Sequence, residues 1–443
     1  MSRFERAIDG WPVGHTISAV REEKFDRNHG LFFAPIHYEP TPIVVDRTRA
    51  PTVEWVRNSF HGMVREEFQD GDAVSISSAP PPMATTEVSD LDLVSLGEVI
   101  RDNAEQELIY NEKFAAILAK RDPKDLEGRL RDLLENPTIG NQKNRGYLRD
   151  GDLKFLFSRM DVGVRLTFPG LPFRDQNPLR AEGGPELVTL AEVYYLVRLH
   201  CTALAIYQVL PTGADILILS DGSFFAEPLG VPEEPVRQYL DGIRRIRNSL
   251  NLTGTIQIVE LRRIVEIWDA GTGAFEKTVE MIEREIYKFA HPDDENYATF
   301  QSLAIGFRRN LNSKDFSASP DDLALWISDP KSDIVGGGFP SRDEIVSRCA
   351  RYAALNLALK WHDVIGQVLP TAVRATVHPK EGQIGLPSVG SCLPWNGVPI
   401  VREGRMEWDK IEVHSLSVAA SRNYELAPVS FGETVLYYKR LEG

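Results

Sequence analysis

A chain of 443 residues is long enough for two or three domains, and its 42% apolar content can fill more than one core, which excludes disorder as the dominant state. The net charge of −14 reflects 64 acidic and 50 basic side chains without a compensating Lys/Arg tract, so no nucleic-acid partner is expected. The three cysteines are too far apart for a disulfide framework or a metal-ligand cluster, so no metal is expected and the cytoplasm is the expected location.

The N-terminal third is predicted to contain an extension and then helices. Residues 1–85 are expected to form an extension with a small β-rich cap, and the proline-rich linker SSAPPP at 77–82 ends it. Its first ten residues are charged where a signal peptide needs an apolar core, and no membrane contact is expected. From about 89 to 134, apolar residues recur with helical spacing.

The middle third alternates short apolar β-prone runs with long amphipathic ones, which is typical of a parallel sheet with crossover helices. This part starts at 86 and is predicted to be a Rossmann-like domain that ends at 320. Its predicted strands are 162–168, 214–220 and 255–260, and its predicted helices are 186–209, 235–251, 274–289 and 297–311.

The last part, residues 321–443, is predicted to be a smaller α+β domain. An irregular connection at 321–338 precedes a long helix at 343–368, a strand at 372–378 and a β-rich end. The fold class is therefore α/β: a Rossmann-like parallel sheet with helices on both faces, a smaller C-terminal domain and an N-terminal extension.

Two loops at predicted strand ends carry the main candidate residues, because open parallel sheets bind ligands outside the carboxyl ends of their strands. The first loop holds Arg174, Asn177 and Arg180. The arginines can hold a phosphate or carboxylate through paired hydrogen bonds. They can equally well pair with Asp175 and Glu182 at the surface.

The second loop is Ser220-Asp221-Gly222, where the glycine allows close backbone approach. If the two strands are neighbours, both loops face one crevice, and Asp221 can take an amine or a proton there. A purely structural role stays open, since Ser-Asp-Gly is a common turn composition.

Further candidates lie nearer the C-terminus. Strand alternation places Arg374 and His378 on one face, with Lys380 two residues further on. A histidine before proline is often a solvated or capping residue, so that alternative stays open. The other candidate groups are Arg308 near a helix end, which by default complements the helix dipole, and Trp395 with Asn396 in a compact turn, for which core packing is the alternative.

Several common catalytic motifs are missing from the sequence: there is no GxGxxG after a strand, no GxxxxGK[ST], no GxSxG and no HExxH. The Rossmann-like part thus lacks a dinucleotide fingerprint, and no cofactor is expected.

Several motifs in a fixed order resemble the isocyanide (isonitrile) synthase family, also called the pyoverdine/dityrosine biosynthesis family. They are RLTFPGLPFRDQNPLR, GADILILSDGSFFAEPLGV with the following Tyr239, FRRNL, VRATVHPKEGQIGLPS and LPWNGV. The similarity covers roughly residues 145 to 400.

This resemblance implies an enzyme that condenses the amine of an amino acid, usually tyrosine or tryptophan, with the ketone of the co-substrate ribulose 5-phosphate. Fragmentation of the sugar then leaves one carbon on nitrogen as an isocyanide, in natural-product biosynthesis and without a metal. The resemblance assigns Arg174 and Arg180 to the phosphate, Asp221 to the amine or a proton transfer, and His378 to acid/base work. Arg308 and Arg374 are supporting anion contacts, and the helix near Glu186 could add its N-terminal amides.

Four positions depart from the family pattern. The family usually has lysine at Arg174, serine at Asp175, an arginine near Asn356 and histidine at Asn396. An arginine cannot form a Schiff base, although it can still bind a phosphate. The departures indicate a divergent member.

Two other functions remain open. One is an enzyme that joins a ketose phosphate to a different amine without isocyanide formation, and the other is a non-catalytic binding or scaffold relative. A homodimer and a downstream oxygenase that acts on the product are open as protein partners.

Overall fold

The structure is a computed structural model. It describes residues 50–68, 87–88, 92–110, 126–137, 139–141, 143–148, 153, 164–181, 183–210, 213–313, 316–317, 319–329, 338–370, 372–379, 383–402, 410–431 and 434–441. The predicted cap before residue 50 and the candidate Lys380 lie outside these residues.

The strands of the described part form two sheets. They are β1 (Glu87–Val88), β2 (Val164–Pro169), β3 (Ala214–Ser220), β4 (Ile256–Glu260), β5 (Ala372–Thr376), β6 (Ile384–Gly385), β7 (Val398–Val401), β8 (Ile411–His414), β9 (Leu426–Phe431) and β10 (Thr434–Arg440). The first sheet has the order β4-β3-β2-β5-β6, and every neighbouring pair is parallel. The second has the order β1-β9-β10-β7-β8 and is mixed.

Most helices of the described part lie around the parallel sheet, and the last one packs on the second sheet. They are α1 (Val53–Phe68), α2 (Leu93–Tyr110), α3 (Leu126–Leu134), α4 (Asn144–Tyr147), α5 (Leu190–Val209), α6 (Gly222–Leu229), α7 (Glu233–Ser249), α8 (Leu261–Asp269), α9 (Ala274–Phe289), α10 (Tyr297–Asn310), α11 (Pro320–Ser328), α12 (Arg342–Trp361), α13 (Val364–Val368) and α14 (Leu416–Ser421). None of them is long and apolar enough to cross a membrane.

Burial explains the two central elements. Every residue of β3 is buried, as its continuous apolar run predicts for a strand covered on both faces. Helix α5 is apolar on nearly all sides because it packs between the parallel sheet, α2, α3 and the second sheet. It begins at the N-cap Thr189, whose hydroxyl and amide form a capping box with Glu192.

The predicted fold class is confirmed: a parallel sheet is flanked by helices, and a small mixed sheet lies apart from it. The Rossmann-like domain was predicted to end at residue 320, but the parallel sheet continues beyond it. Strands β5 and β6 follow residue 320 in the chain and extend this sheet next to β2. Sequence spacing cannot show this, since the pairing of β5 with β2 joins segments about two hundred residues apart.

Three local predictions need correction. Residues 53–68 lie in the predicted extension but form α1, which packs on the core, with Trp55 against Trp361 at 4.7 Å between ring centroids. The predicted irregular connection contains α11, which Ser319 caps through the amide of Asp322. The long helix predicted at 343–368 is interrupted after Trp361, where Asp363 has a φ of 42°.

Candidate functional site

The switch point of the parallel sheet lies between β2 and β5. From β2 the chain moves outward to β3 and β4, and it then returns to the opposite side of β2 as β5. In open parallel sheets the crevice at such a point, beyond the carboxyl ends of the strands, is the usual ligand site. The sequence-based expectation had placed the crevice on the other side, between β2 and β3.

A cavity of about 230 Å³ lies at this switch point. Val377 and His378, which directly follow β5, line it together with Tyr195 of α5 and the segment 387–394. Lys143 adds an exposed ammonium group. The volume is below the range of drug-sized pockets.

Hydrogen bonds and ring contacts fix the cavity walls. Asn141 donates to the carbonyl oxygens of Val377 at 3.1 Å and Leu386 at 3.0 Å, which ties both rims together. On the β2 side, the ring of Tyr195 meets Phe168 at 6.3 Å and Trp395 at 6.4 Å. These contacts hold the cavity shape without a ligand.

Tyr195 lines the cavity and carries a polar group without a partner. The side chain is fully buried, and the hydroxyl oxygen has no hydrogen-bond partner. Burial raises the pKa of this phenol well above its ordinary value, so it stays protonated and can donate. A buried unpaired donor is costly, and a ligand oxygen in the cavity would satisfy it.

The two loops chosen from the sequence meet directly. Because β2 and β3 are neighbours, the turn Leu171-Pro172 packs on Ser220-Asp221-Gly222. Ser220 donates its hydroxyl to the carbonyl oxygen of Leu171 at 3.0 Å, and Leu171 has a φ of 53°. None of residues 220–222 lines the cavity, so the contact forms a tight junction beside it.

Gly222→Ala is expected to destabilise the chain by about 1–3 kcal/mol, because a Cβ there would collide with the carbonyl oxygen of Pro172. Urea unfolding measures this change. Gly62→Ala is the matched control: its Cβ would meet nothing within 4 Å in α1, so it should stabilise by about 0.5–1 kcal/mol. Equal effects at both positions would mean that the two turns do not depend on close contact.

Asp221 carries a partly exposed carboxyl group with unusual properties. Its Oδ1 is buried without a hydrogen-bond partner, and the side chain does not cap α6 although Asp221 is the N-cap residue. Burial raises its pKa from 3.8 to about 7. A carboxyl group with this pKa can give or take a proton near neutral pH.

Arg174 has a structural role that differs from the predicted one. Only 1% of the residue is exposed. Its guanidinium donates to Oγ1 of Thr189 at 3.2 Å, to Oε1 of Glu192 at 3.3 Å and to the carbonyl oxygen of Gly397 at 2.8 Å. These partners anchor the loop to α5 and to the turn before β7, which leaves Arg174 no face for a phosphate. The N-terminal amides of α5 are likewise occupied by the Thr189 capping box.

Arg180 and Asn177 connect the same loop to α10. Arg180 lies 2.9 Å from a carboxylate oxygen of Asp175 and donates to Oδ1 of Asn310 at 2.9 Å. Asn177 donates to the carbonyl oxygen of Arg309 at 3.2 Å. Burial raises the pKa of Asp175, although the neighbouring Arg180 opposes this. The pairing with Asp175 is the structural alternative that the sequence left open.

The other predicted residues lie in different places. Arg308 is 3% exposed and donates to the backbone carbonyl of Trp326, so it is not an open anion contact as predicted. Arg374 is exposed on β5. Trp395 is buried and Asn396 half-buried in a 3₁₀ turn, where Trp395 accepts a hydrogen bond from the amide of Asp175 at 2.8 Å. Among the predicted site residues that the structure describes, His378 alone lines the cavity.

Comparisons with known proteins relate these residues to a family. Residues 157–314 match the family model of the pyoverdine/dityrosine biosynthesis proteins, and this match includes β2, β3, β4 and the loops after them. This part of the chain is similar to that family. The resemblance found in the sequence is thereby confirmed, as is its description as divergent.

Two curated proteins similar to this chain are named as isocyanide-forming enzymes. The L-tryptophan isonitrile synthase AmbI1 from Fischerella ambigua is 22% identical over 257 residues, which are 54% of this chain and 70% of that protein. The isocyanide synthase xanB from Aspergillus fumigatus is 33% identical over 100 residues, which are 22% of this chain and 13% of that protein. The crystal structure of PvcA from Pseudomonas aeruginosa aligns with a TM-score of 0.47 at 16% identity, over 74% of this chain and 99% of that one.

Sequence reasoning missed two residues that line the cavity, Tyr195 and Lys143, and also Asn310, which accepts a hydrogen bond from Arg180. Tyr195 lies in the middle of an apolar helix run, where an aromatic residue predicts core packing. Lys143 precedes a helix of only four residues, and no periodic signal marks it. Asn310 directly follows the two arginines in FRRN, and the positive charge of the arginines made them the candidates instead. The described residues contain no cluster of His, Cys, Asp or Glu that could hold a metal ion.

Proposed function

We propose that this chain is an isocyanide-synthase-like enzyme that condenses the amine of an amino acid with the ketone of ribulose 5-phosphate. Similarity to proteins named as isonitrile and isocyanide synthases supports an enzyme of this general kind. The observation that carries the proposal is the cavity at the sheet switch point, which is lined by His378, by Lys143 and by Tyr195, whose hydroxyl is buried and unpaired.

The cavity chemistry fits anionic and hydroxylated metabolites. Lys143 supplies a cation for a carboxylate or phosphate, which Arg174 cannot do from its buried position. Tyr195 donates to a substrate oxygen, and His378 exchanges protons or binds a sugar hydroxyl at the cavity rim. Each of these groups favours a polar ligand over an apolar one.

Asp221 serves a second proton transfer. It follows β3, whereas Val377 follows β5, and two strand spacings of about 4.8 Å separate these ends of the sheet. Because Asp221 does not line the cavity, the proposal requires the adduct of the amino acid and the pentulose phosphate to extend beyond the cavity toward it. With a pKa of about 7, Asp221 can protonate or deprotonate the sugar carbons during rearrangement, which needs an acid and a base.

The experiment is an incubation of the purified full-length chain with ribulose 5-phosphate and each of the twenty amino acids. Consumption of both reactants is expected for at least one amino acid. Carbon-labelled sugar phosphate then identifies the product by mass spectrometry, because an isocyanide retains one sugar carbon on nitrogen. Label in another adduct indicates the alternative without isocyanide formation, and no consumption across the panel contradicts both reactions.

Tyr195→Phe is expected to weaken ligand binding about 10- to 100-fold without loss of stability. The substitution removes a hydrogen bond to a charged oxygen, worth about 1.5–3 kcal/mol, while the folded chain loses only an unpaired buried hydroxyl. Calorimetric titration with ribulose 5-phosphate and with the accepted amino acid measures the dissociation constants, and thermal unfolding measures stability. Unchanged affinity for both would mean that the hydroxyl meets no ligand. Tyr287→Phe, at a half-exposed position on α9, is the control.

A further inference from the structure

A chain of three side chains leads from the cavity into the second sheet. Ser391 lines the cavity, and its hydroxyl lies 2.8 Å from Nδ1 of His414. On the far side of the ring, Nε2 lies 3.0 Å from a carboxylate oxygen of Glu412. His414 is the last residue of β8 and 3% exposed. None of these three residues has a place in the function proposed above.

Backbone pairing fixes the geometry of this chain. Gly390 forms a parallel β-bridge with Val413, and the amide of Ser391 donates to the carbonyl oxygen of Val413 at 3.0 Å. The amide of Val413 in turn donates to the carbonyl oxygen of Val389 at 2.8 Å. The cavity wall and β8 therefore form one rigid unit that keeps Ser391 against His414.

Hydrogen-bond chemistry determines the tautomer of His414. The pKa of Glu412 is lowered, chiefly by the hydrogen bond with His414, so Glu412 is an anion that can only accept. Nε2 lies 3.0 Å from this acceptor and 3.2 Å from Nη1 of Arg422, which can only donate. The shorter contact with the carboxylate assigns the hydrogen to Nε2, so Nδ1 can accept the proton of the Ser391 hydroxyl. This is the arrangement in which a carboxylate orients an imidazole and stabilises its charged form.

The other charged groups around His414 lie on the Glu412 side of the ring. Arg422 places Nη1 3.2 Å from Nε2 and 3.3 Å from the hydroxyl of Tyr424, whose ring packs on His414 at 6.2 Å. Arg402 lies 3.5 Å from the other carboxylate oxygen of Glu412. The two arginines balance part of the Glu412 charge. Among the groups with a described hydrogen bond to the imidazole ring, Ser391 is the one that contacts Nδ1.

We propose that Ser391, His414 and Glu412 form a proton relay that deprotonates the amino-acid ammonium group in the cavity. The ammonium nitrogen gives a proton to Oγ of Ser391 while the Ser391 hydroxyl gives its own proton to Nδ1 of His414. The serine is unchanged, the amine gains a free lone pair for attack on the ketone, and the imidazolium is stabilised by Glu412. Ser391 touches the substrate, whereas His414 and Glu412 act through it. This relay rests on the proposed function.

The test measures kcat and KM over pH for the wild-type chain and the variants Ser391→Ala, His414→Gln and Glu412→Gln. Ser391→Ala and His414→Gln should each lower kcat about 100-fold, with KM changed less than threefold. Since both act in one step, the double variant should be no slower than either single variant. The decline of wild-type kcat/KM at acid pH should be smaller in His414→Gln, and the part of the decline that comes from Asp221 should remain.

Controls separate the relay from stability and from the proposed function. Ser391→Thr keeps a hydroxyl and should retain most of kcat, and His291→Gln, at an exposed position, should behave as wild type. Thermal unfolding identifies any variant that fails to fold. If His414→Gln does not fold, the kcat of Ser391→Ala alone tests the relay. Two results would overturn the relay alone, provided that the wild-type chain turns over substrate. One is that the losses of kcat from the two single variants multiply in the double variant. The other is that the decline of kcat/KM at acid pH is as large in His414→Gln as in the wild type. Absence of wild-type turnover overturns the proposed function, and the relay with it.

Discussion

Asp221→Asn is expected to lower kcat about 10²- to 10⁴-fold while it makes the protein more stable above neutral pH. The loss of rate follows because an amide cannot exchange the proton that the rearrangement requires. Near pH 7 the wild-type carboxyl group exists in both protonation states, since burial raises its pKa to about 7. Single-turnover kinetics with saturating substrates measures the change in the chemical step.

The gain in stability follows from proton binding. The unfolded chain loses the Asp221 proton near pH 4, whereas the folded chain loses it near pH 7. Between these values the folded chain binds more protons, so the wild-type free energy of unfolding falls as pH rises from about 4 to about 7 and then levels off. Asparagine has no such proton, and the variant lacks this decline.

The size of the effect can be bounded. At about 1.4 kcal/mol per pKa unit, Asp221→Asn should gain at most about 4 kcal/mol over wild type between pH 4 and pH 8. The side chain is partly exposed, so solvent reduces the gain below this limit. Urea unfolding at pH 4, 6 and 8 measures it.

Asp215→Asn is the matched control on the same strand. Asp215 is buried and lies 2.9 Å from Arg165, so its replacement should destabilise the chain at neutral pH. A stability difference between Asp221→Asn and wild type that does not change with pH would show that the carboxyl group is not raised in pKa. If Asp221→Asn is more stable than the wild type and keeps full activity, Asp221 has only a structural role.

The fold was largely predictable because its strongest signals are local. The run ADILILS gave β3 at its observed bounds, and the amphipathic pattern of 274–289 gave α9. The placement of β5 beside β2 was not predictable, since it depends on pairing across a long insertion of helices. That one pairing moves the switch point, and with it the cavity, to the other side of β2.

Side-chain roles were less predictable than loop positions. The sequence placed Arg174 and Asp221 on neighbouring loops, and the structure has both there. It could not show that Arg174 points inward, because orientation depends on Glu192 and Gly397, which are distant in sequence. In the sequence, the charge of Arg174 made it the candidate for a ligand contact. In the structure Lys143 is the better candidate, because its side chain is exposed.

Arg174→Met is expected to destabilise the protein by about 3–5 kcal/mol, because it leaves the Glu192 carboxylate buried without its cation. Glu192 would keep hydrogen bonds from Thr189 and from the hydroxyl of Tyr239, which are neutral donors. Arg174→Lys restores the charge without the forked geometry that also reaches Gly397, so its loss should be smaller. Urea unfolding measures all three chains. Arg237→Met, which breaks an exposed pair with Glu234, should leave the free energy of unfolding close to that of the wild type. If Arg174→Met keeps wild-type stability but binds ribulose 5-phosphate weakly, Arg174 is instead a phosphate contact. The anchoring of the loop would then have to come from the hydrogen bond between the amide of Asp175 and the carbonyl oxygen of Trp395.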